Sequence, residues 1–279
     1  MTVADFTDSY DRDGYCFPVD VLDGNEIEGI LAAISSAKEA CRGDETKLNA
    51  INQYPHLLLP QVYDLTKNRR VIDAVKRILG EDLLVWGVSL FIKEPHSKKI
   101  VSWHQDLTYW DLDNSEETTF WVALTPVSEA NGCMKFIPGS QKQRILPHTD
   151  TFAEDNMLSR GQEIAVTVDE DDAVSVELAP GQASLHHGHL FHASGPNVSD
   201  IPRVAVAIRY IKTSMKQPSG ERPVVVLASG TDEFGYFDEA RPPSGRLADE
   251  EFEYCYEDMR TKRKILFKGV DEDKGQRYG

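Results

Sequence analysis

The sequence predicts an all-β core, either a barrel or a two-sheet jelly roll, with helices packed outside it (an α+β arrangement). Three observations carry this. Beyond about residue 80 the chain breaks into many short β-rich runs, Pro- and Gly-containing turns separate them, and the eighty residues before them are patterned mainly for helices.

The elements follow in order. "DFTDSYDRDG" reads as a short helix stopped at Gly14, followed by the extended segment "YCFPVDVL". In "DGNEIEGILAAISSAKEACR" the apolar residues recur at helical spacing, so Ile27, Ile30, Leu31 and Ile34 share one face. A further helix is expected from about Arg69 to Leu79, ended by Gly80. "DLLVWGVSLFIKE" and "ETTFWVALTPV" are then strands, and "GCMKFIPGS" is a short strand closed by a Pro-Gly turn. "AVSVELAPGQASLHHG" reads as two strands about Pro180-Gly181, and "RVAVAIRYIKT" is the clearest strand of all. The interval from about 145 to 165 has weak periodicity, and a loop this long is expected to be either a substrate-facing lid or a surface excursion. From Ala248 to Lys264 a charged helix is expected to clasp the outside. The expected organisation is one domain over 1–279, with a helical region to about 80, a core at about 81–215 and a C-terminal extension at about 216–279.

Composition narrows the partners. With a net charge of −16 and a pI near 4.9, the chain is poorly suited to a phosphate backbone, so no nucleic acid is expected. A small anionic substrate remains compatible, because a pocket can be locally basic on an acidic protein. The four scattered cysteines, with no CxxC pair, fit a reduced cytoplasmic setting. There is no signal-peptide pattern and no apolar run long enough to span a membrane. Nothing bears on the oligomeric state.

The chemistry begins at "SWHQDLTYW". Residues two apart on an extended backbone project to the same side, so His104 and Asp106 can reach one ion. The stretch "SLHHGHLFHASGPN" holds His186, His187, His189 and His192, half of the chain's eight histidines, without the cysteines or spacing of a structural zinc site. One of these added to the H-x-D pair would give two imidazoles and a carboxylate, the facial triad of non-haem Fe(II) oxygenases. Eleven residues beyond His192, Arg203 opens a strand on which Arg203, Ala205, Ala207 and Arg209 share one face. Two arginines and two alanines suit a cavity holding a carboxylate better than a hydrophobic core, although a structural salt bridge at Arg203 would also satisfy the pattern.

The segments "WHQDLTYW", "FWVALTPVSEANGCMKFIPGSQK" and "APGQASLHHGHLFHASGPNVSDIPRVAVAIRY" resemble the phytanoyl-CoA dioxygenase family of Fe(II)/2-oxoglutarate oxygenases, over roughly residues 5–215. The resemblance implies a cupin-like double-stranded β-helix (jelly roll) that uses Fe(II), 2-oxoglutarate and O2. It implies His104, Asp106 and His192 as iron ligands, and Arg203, assisted by Ser194, at the distal carboxylate of 2-oxoglutarate. Trp121 matches a position beside the co-substrate, Trp110 an aromatic wall near the metal, and Lys93 is a further co-substrate candidate. Asn131 and Gly132 are read as a turn. Related halogenases lack the carboxylate ligand, so Asp106 favours hydroxylation, with release of succinate and CO2.

Asn156, Arg160 and Gln162 in the long loop, with Arg209 and Arg144, are candidate contacts for a polar, anionic substrate. The first specific expectation is an aminoalkylphosphonate such as 2-aminoethylphosphonate or an N-methylated relative. The alternatives are a CoA thioester or natural-product scaffold, a jelly-roll metal enzyme without 2-oxoglutarate, and a non-catalytic binding protein on the same fold.

Overall fold

The computed structural model describes residues 3–158 and 160–267, without the side chains of residues 3–5 and Gln162. The first eighty residues form α1 (Val3–Asp13), β1 (Tyr15–Asp20), α2 (Gly24–Ala40), α3 (Glu45–Gln53), α4 (Pro55–Leu58), α5 (Pro60–Leu65) and α6 (Arg69–Leu79). Their ends are set by local chemistry. Asp23 and Glu26 cap α2 reciprocally, each side chain accepting from the other's backbone N–H at 3.0 and 2.8 Å. Pro55 and Pro60 open α4 and α5, where a missing N–H costs nothing. Gly80, at φ 87°, stops α6 at the predicted residue.

The core strands are β2 (Leu83–Lys93), β3 (Val101–His104), β4 (Glu117–Ala123), β5 (Met134–Phe136), β6 (His148–Asp150), β7 (Gln162–Ile164), β8 (Val174–Val176), β9 (Gln182–His186), β10 (His192–Ser194) and β11 (Arg203–Lys212). Beyond them lie β12 (Val224–Ser229), β13 (Asp238–Glu239) and α7 (Asp249–Leu266). A seven-stranded sheet runs β1-β9-β4-β11-β2-β12-β13, and a four-stranded sheet runs β3-β10-β5-β8. This is the jelly roll, and its large sheet extends further than expected: β12 pairs with β2, so the sheet continues past residue 215.

Strand parity sets the two cores. On β11, Val206, Ile208 and Tyr210 are fully buried among residues of α1–α6, including Leu58, Val62, Val71 and Val75. Each such side chain contributes about 1.5–3 kcal/mol on burial. Ala205 and Ala207 turn the other way, between the sheets, with Trp121, Met134, Phe136 and Val176. Phe252 and Cys255 of α7 join the helical core, which ties the C-terminal helix to the same body. Among the described residues, no helix is long and apolar enough to cross a membrane.

Candidate metal centre and co-substrate pocket

The strand carrying His104 ends on that residue, and Asp106 opens a 3-10 turn (Asp106–Thr108) instead of continuing the strand. Gln105, fully buried between them, forces this break. Its side-chain amide donates to the His189 carbonyl at 2.9 Å and its oxygen accepts from the Leu146 N–H at 2.8 Å, while the Leu107 N–H donates to the Gly188 carbonyl at 3.2 Å. Gly188 must stay bare, because a Cβ there would lie 2.4 Å from Glu117 Oε1 and 2.7 Å from Leu107 Cγ. The two side chains converge nonetheless.

The third ligand arrives through strand pairing. β10 lies antiparallel to β3 with His192 opposite His104, and their rings stand 4.0 Å apart between centroids. His104, Asp106 and His192 each offer a ligand atom, and these atoms all lie within 4.8 Å of one another. It is the one such grouping among the described residues. Asp106 Oδ1 is 3.2 Å from His104 Nε2 and 3.7 Å from His192 Nε2.

The outer partners fit metal binding. The Ser102 carbonyl lies 2.9 Å from His104 Nδ1, and the Leu190 carbonyl lies 3.0 Å from His192 Nδ1. Each carbonyl accepts from Nδ1–H, which fixes the tautomer and leaves Nε2 as the lone-pair donor. Burial, then the facing His104, holds His192 well below the usual histidine range, so it is neutral. A carboxylate and two imidazoles on one side of a cavity are what an iron site with open positions requires.

Beside the triad lies a second charged group. Arg203 and Lys93 face each other in register across β11 and β2, and both are essentially inaccessible, at 1% and 0% exposure. Lys93 Nζ donates to Ser194 Oγ at 2.7 Å and to the Gly195 carbonyl, and Arg203 Nη1 donates to the Gly132 carbonyl. Arg203 Nε has no hydrogen-bond partner among the described residues, and the guanidinium lies 5.5 Å from the centre of the Trp121 ring. Burial, then the neighbouring Arg203, pushes Lys93 down to about 6, while burial lowers Arg203 to about 10 and leaves it charged. Two buried bases with no carboxylate paired to them among the described residues form a receptor for an anion, so the residues expected to hold 2-oxoglutarate do fit it. The structural salt bridge that the sequence left open at Arg203 is not formed among the described residues. Asn131 and Gly132 form the predicted turn, with Gly132 at φ 75°. A Cβ there would lie 2.3 Å from the Gly195 carbonyl, so the turn is also what brings the Gly132 carbonyl to Arg203.

The triad stands between two cavities. A small one of about 50 Å³ includes Trp121, Ser194 and Arg203, and a larger one of about 570 Å³ opens on the other side; His104, Asp106 and Arg209 line both. The larger cavity is walled by Trp86 and Trp110, stacked at 5.1 Å, and by α7, which contributes Tyr256, Met259 and Lys262. The C-terminal helix therefore does more than clasp the outside.

The loop candidates divide. The 145–165 segment contains the antiparallel β6–β7 pair, and its Asn156, Met157 and Leu158 line the large cavity. Asn156 also donates to Ser102 Oγ at 2.7 Å. Arg160 is directed elsewhere: it binds the Asp150 carboxylate, donates to the Leu266 carbonyl at 2.9 Å, and stacks over Tyr109. It pins the hairpin to α7 and does not line the cavity. The side chain of Gln162 lies outside the described residues. Arg209 donates to Ser89 Oγ at 2.9 Å and lies over Trp110. The roles of Gln105, Thr119 and His186 were not anticipated, and α7 was expected as a helix but not as a wall of the cavity. Only the histidine-rich stretch hinted at one of them.

A family model described as phytanoyl-CoA dioxygenase (PhyH) matches residues 10–205. A probable alpha-ketoglutarate-dependent hypophosphite dioxygenase of Stutzerimonas stutzeri is 30% identical over 176 residues, a match covering 62% of this chain and 60% of that protein's length. An ectoine dioxygenase of Bordetella parapertussis is 27% identical, with 74% of each chain covered. Among solved structures, the apo form of a non-heme monooxygenase, ThoJ, superposes with a TM-score of 0.82 at 33% identity, covering 98% of this chain and 99% of that one. The family-model match takes in all three triad residues, Arg203 and Lys93. The chain belongs to the phytanoyl-CoA dioxygenase (PhyH) family of Fe(II)- and 2-oxoglutarate-dependent oxygenases.

Proposed function

We propose that the protein is a hydroxylase that couples oxidative decarboxylation of 2-oxoglutarate, to succinate and CO2, to oxidation of a polar, anionic small molecule. The observation that carries this reading is the pairing of the His104–Asp106–His192 cluster, whose histidines stand on the four-stranded sheet, with the buried Arg203–Lys93 receptor on the seven-stranded sheet, the triad and Arg203 lining one small cavity. Iron held by the three ligands supplies the oxygen chemistry. The chain supplies the rest. Arg203, with Lys93 and Ser194, neutralises and orients the distal carboxylate of the co-substrate, and Trp121 lines that pocket with its ring against the guanidinium. Trp86, Trp110 and the residues of α7 bound the space in which the substrate lies.

Arg209 supports an anionic substrate. It reaches the large cavity from the same face of β11 as Arg203, and among the described residues no ion-pair partner lies within 4.0 Å of it. A phosphonate such as 2-aminoethylphosphonate or an N-methylated relative is the first specific reading, in keeping with the phosphorus substrate named for the Stutzerimonas relative. A second reading, a larger natural-product scaffold or thioester, is favoured by cavity size. Pockets for drug-sized ligands run to about 300–1,000 Å³, and the 570 Å³ here exceeds what a two-carbon phosphonate fills.

The test is succinate formation by anaerobically iron-loaded protein exposed to oxygen with phosphonates, amino acids, thioesters and larger aromatic acids. Stimulation by one class identifies the substrate chemistry. Failure to bind 2-oxoglutarate at all would remove the oxygenase reading.

A further inference from the structure

His186 ends β9 on the face that looks between the two sheets, the face it shares with Ser184 two residues earlier, while Ala183 and Leu185 pack into the helical core. It is 1% exposed, and among the described residues neither ring nitrogen has a hydrogen-bond partner. Its neighbours are the rings of Phe136 and His192, with centroids 5.2 and 4.6 Å away, and the carboxylate of Asp106. A phenylalanine or leucine would fill such a place at lower cost, because a buried imidazole without partners loses its hydration and regains nothing.

The two oxygens of Asp106 have different surroundings. Oδ1 faces the triad, 3.2 Å from His104 Nε2 and 3.7 Å from His192 Nε2. Oδ2 points away from the triad. It accepts from Thr119 Oγ1 at 3.0 Å and lies 3.8 Å from His186 Nε2. Thr119 and His186 are direct partners across the β4–β9 pairing, so two adjacent strands aim donors at the same oxygen. The gap of 3.8 Å is too long for a hydrogen bond, but a shift of about 1 Å in the carboxylate would close it. His186 lies outside the set whose ligand atoms cluster within 4.8 Å, so it flanks the metal site without joining it.

We propose that His186 is a positioning residue for the metal site: its Nε2–H, together with Thr119, holds Asp106 Oδ2 and so presents Oδ1 alone to the metal. This rests on the reading of the triad as an iron site. One bound oxygen leaves three open positions on an octahedral ion, whereas a carboxylate free to bind through both oxygens would occupy one that the co-substrate or oxygen needs. Partners of this kind typically alter metal affinity or activity about 10–100-fold.

The test uses the full chain with His186→Phe, His186→Asn and His186→Gln. Anaerobic iron affinity, the visible absorption of the iron–2-oxoglutarate complex, and the melting temperature of the metal-free protein are measured for each. Phe, which the aromatic surroundings accommodate, and Asn, which is too short to reach, should weaken iron binding about 10–100-fold and alter the absorption band. Gln, which can reach Oδ2 with its amide, should stay within about threefold of the parent. The metal-free melting temperatures should not follow this order, whereas a merely structural histidine would lower all three. If the Phe variant gives no cooperative melt, the contrast between Asn and Gln decides alone. Iron that failed to bind the parent would remove the metal-site reading itself. Iron that bound the parent and all the variants alike, with an unchanged band, would overturn the role of His186 and leave that reading standing.

Discussion

Replacing Arg203 with methionine should damage co-substrate binding and leave the fold intact. Arg203 is 1% exposed, spends one guanidinium nitrogen on the Gly132 carbonyl, and carries an Nε with no hydrogen-bond partner among the described residues. Truncating one member of a buried, hydrogen-bonded charge pair costs about 2–5 kcal/mol. Lys93, its neighbour across the β2–β11 pairing, would still face the carboxylate, which places the loss in the lower part of that range. At about 2–3.5 kcal/mol, the dissociation constant for 2-oxoglutarate should rise about 30–400-fold. Arg203→Lys should fall between the two, keeping the charge but losing the planar fork. The folded protein should not suffer, since exchanging a buried charge for an apolar side chain of similar length is often neutral or stabilising. Anaerobic calorimetry of 2-oxoglutarate binding to iron-loaded protein gives the first quantity, and thermal melting of the metal-free protein gives the second. A loss of affinity under about threefold with Arg203→Met would refute the argument that this guanidinium holds the distal carboxylate.

Three further outcomes follow from the same geometry. Lys93 sits near 6 against an ordinary value of 10.5, and a carboxylate bound beside it raises it again, so co-substrate binding takes up a proton anywhere between those values. Affinity for 2-oxoglutarate should therefore fall as pH rises from 7 to 9, by up to about tenfold per unit, and calorimetry in buffers of different ionisation enthalpy should register the uptake. A heat of binding independent of buffer would contradict it. Arg209→Leu should raise KM for an anionic substrate about 30-fold or more while leaving 2-oxoglutarate affinity within about threefold, which steady-state kinetics against both ligands would separate. Asp258→Asn breaks a pair in which Asp258 and Lys262, 2.8 Å apart, are almost completely buried and both bind the backbone of Val224. A loss of about 3–5 kcal/mol, or roughly 6–20 °C in melting temperature, is expected, and an unchanged melt would show that α7 is not held there.

What could be read in advance was what local pattern encodes. The alternation in "RVAVAIRYIK" separated Arg203, Ala205, Ala207 and Arg209 from the helix-facing Val206, Ile208 and Tyr210, and the structure keeps that division. Gly80 ended α6 as predicted because one residue with freedom at φ 87° is enough to stop a helix. What stayed hidden depends on partners far along the chain. Thr119 and His186 are 67 residues apart and meet only through the β4–β9 register. Nothing local singles out Gln105, whose partners, the His189 carbonyl and the Leu146 N–H, lie 84 and 41 residues away. Arg160 drew attention as a cation in a long loop, but its partners are Asp150, ten residues back, and Leu266, 106 residues on. The short β10 did not stand out as a strand because its three residues pair only with elements distant in sequence. "PVVVLAS" carried a legible strand signal that the expected end of the core at about residue 215 obscured.

The large cavity draws its walls from two unlike sources. Its iron-side floor comes from the span that matches the family model, residues 10–205, whereas Tyr256, Met259 and Lys262 belong to a helix that begins only at Asp249. On the proposed reading, the metal cluster and part of the substrate wall, Trp86, Trp110 and Asn156 among it, are written on one length of chain, and the rest of that wall on another. Replacing the tail with that of a relative would give an enzyme with an inherited oxidant and a new choice of what to oxidise. The ion pair at Asp258 and Lys262 marks the joint that such a graft would have to preserve.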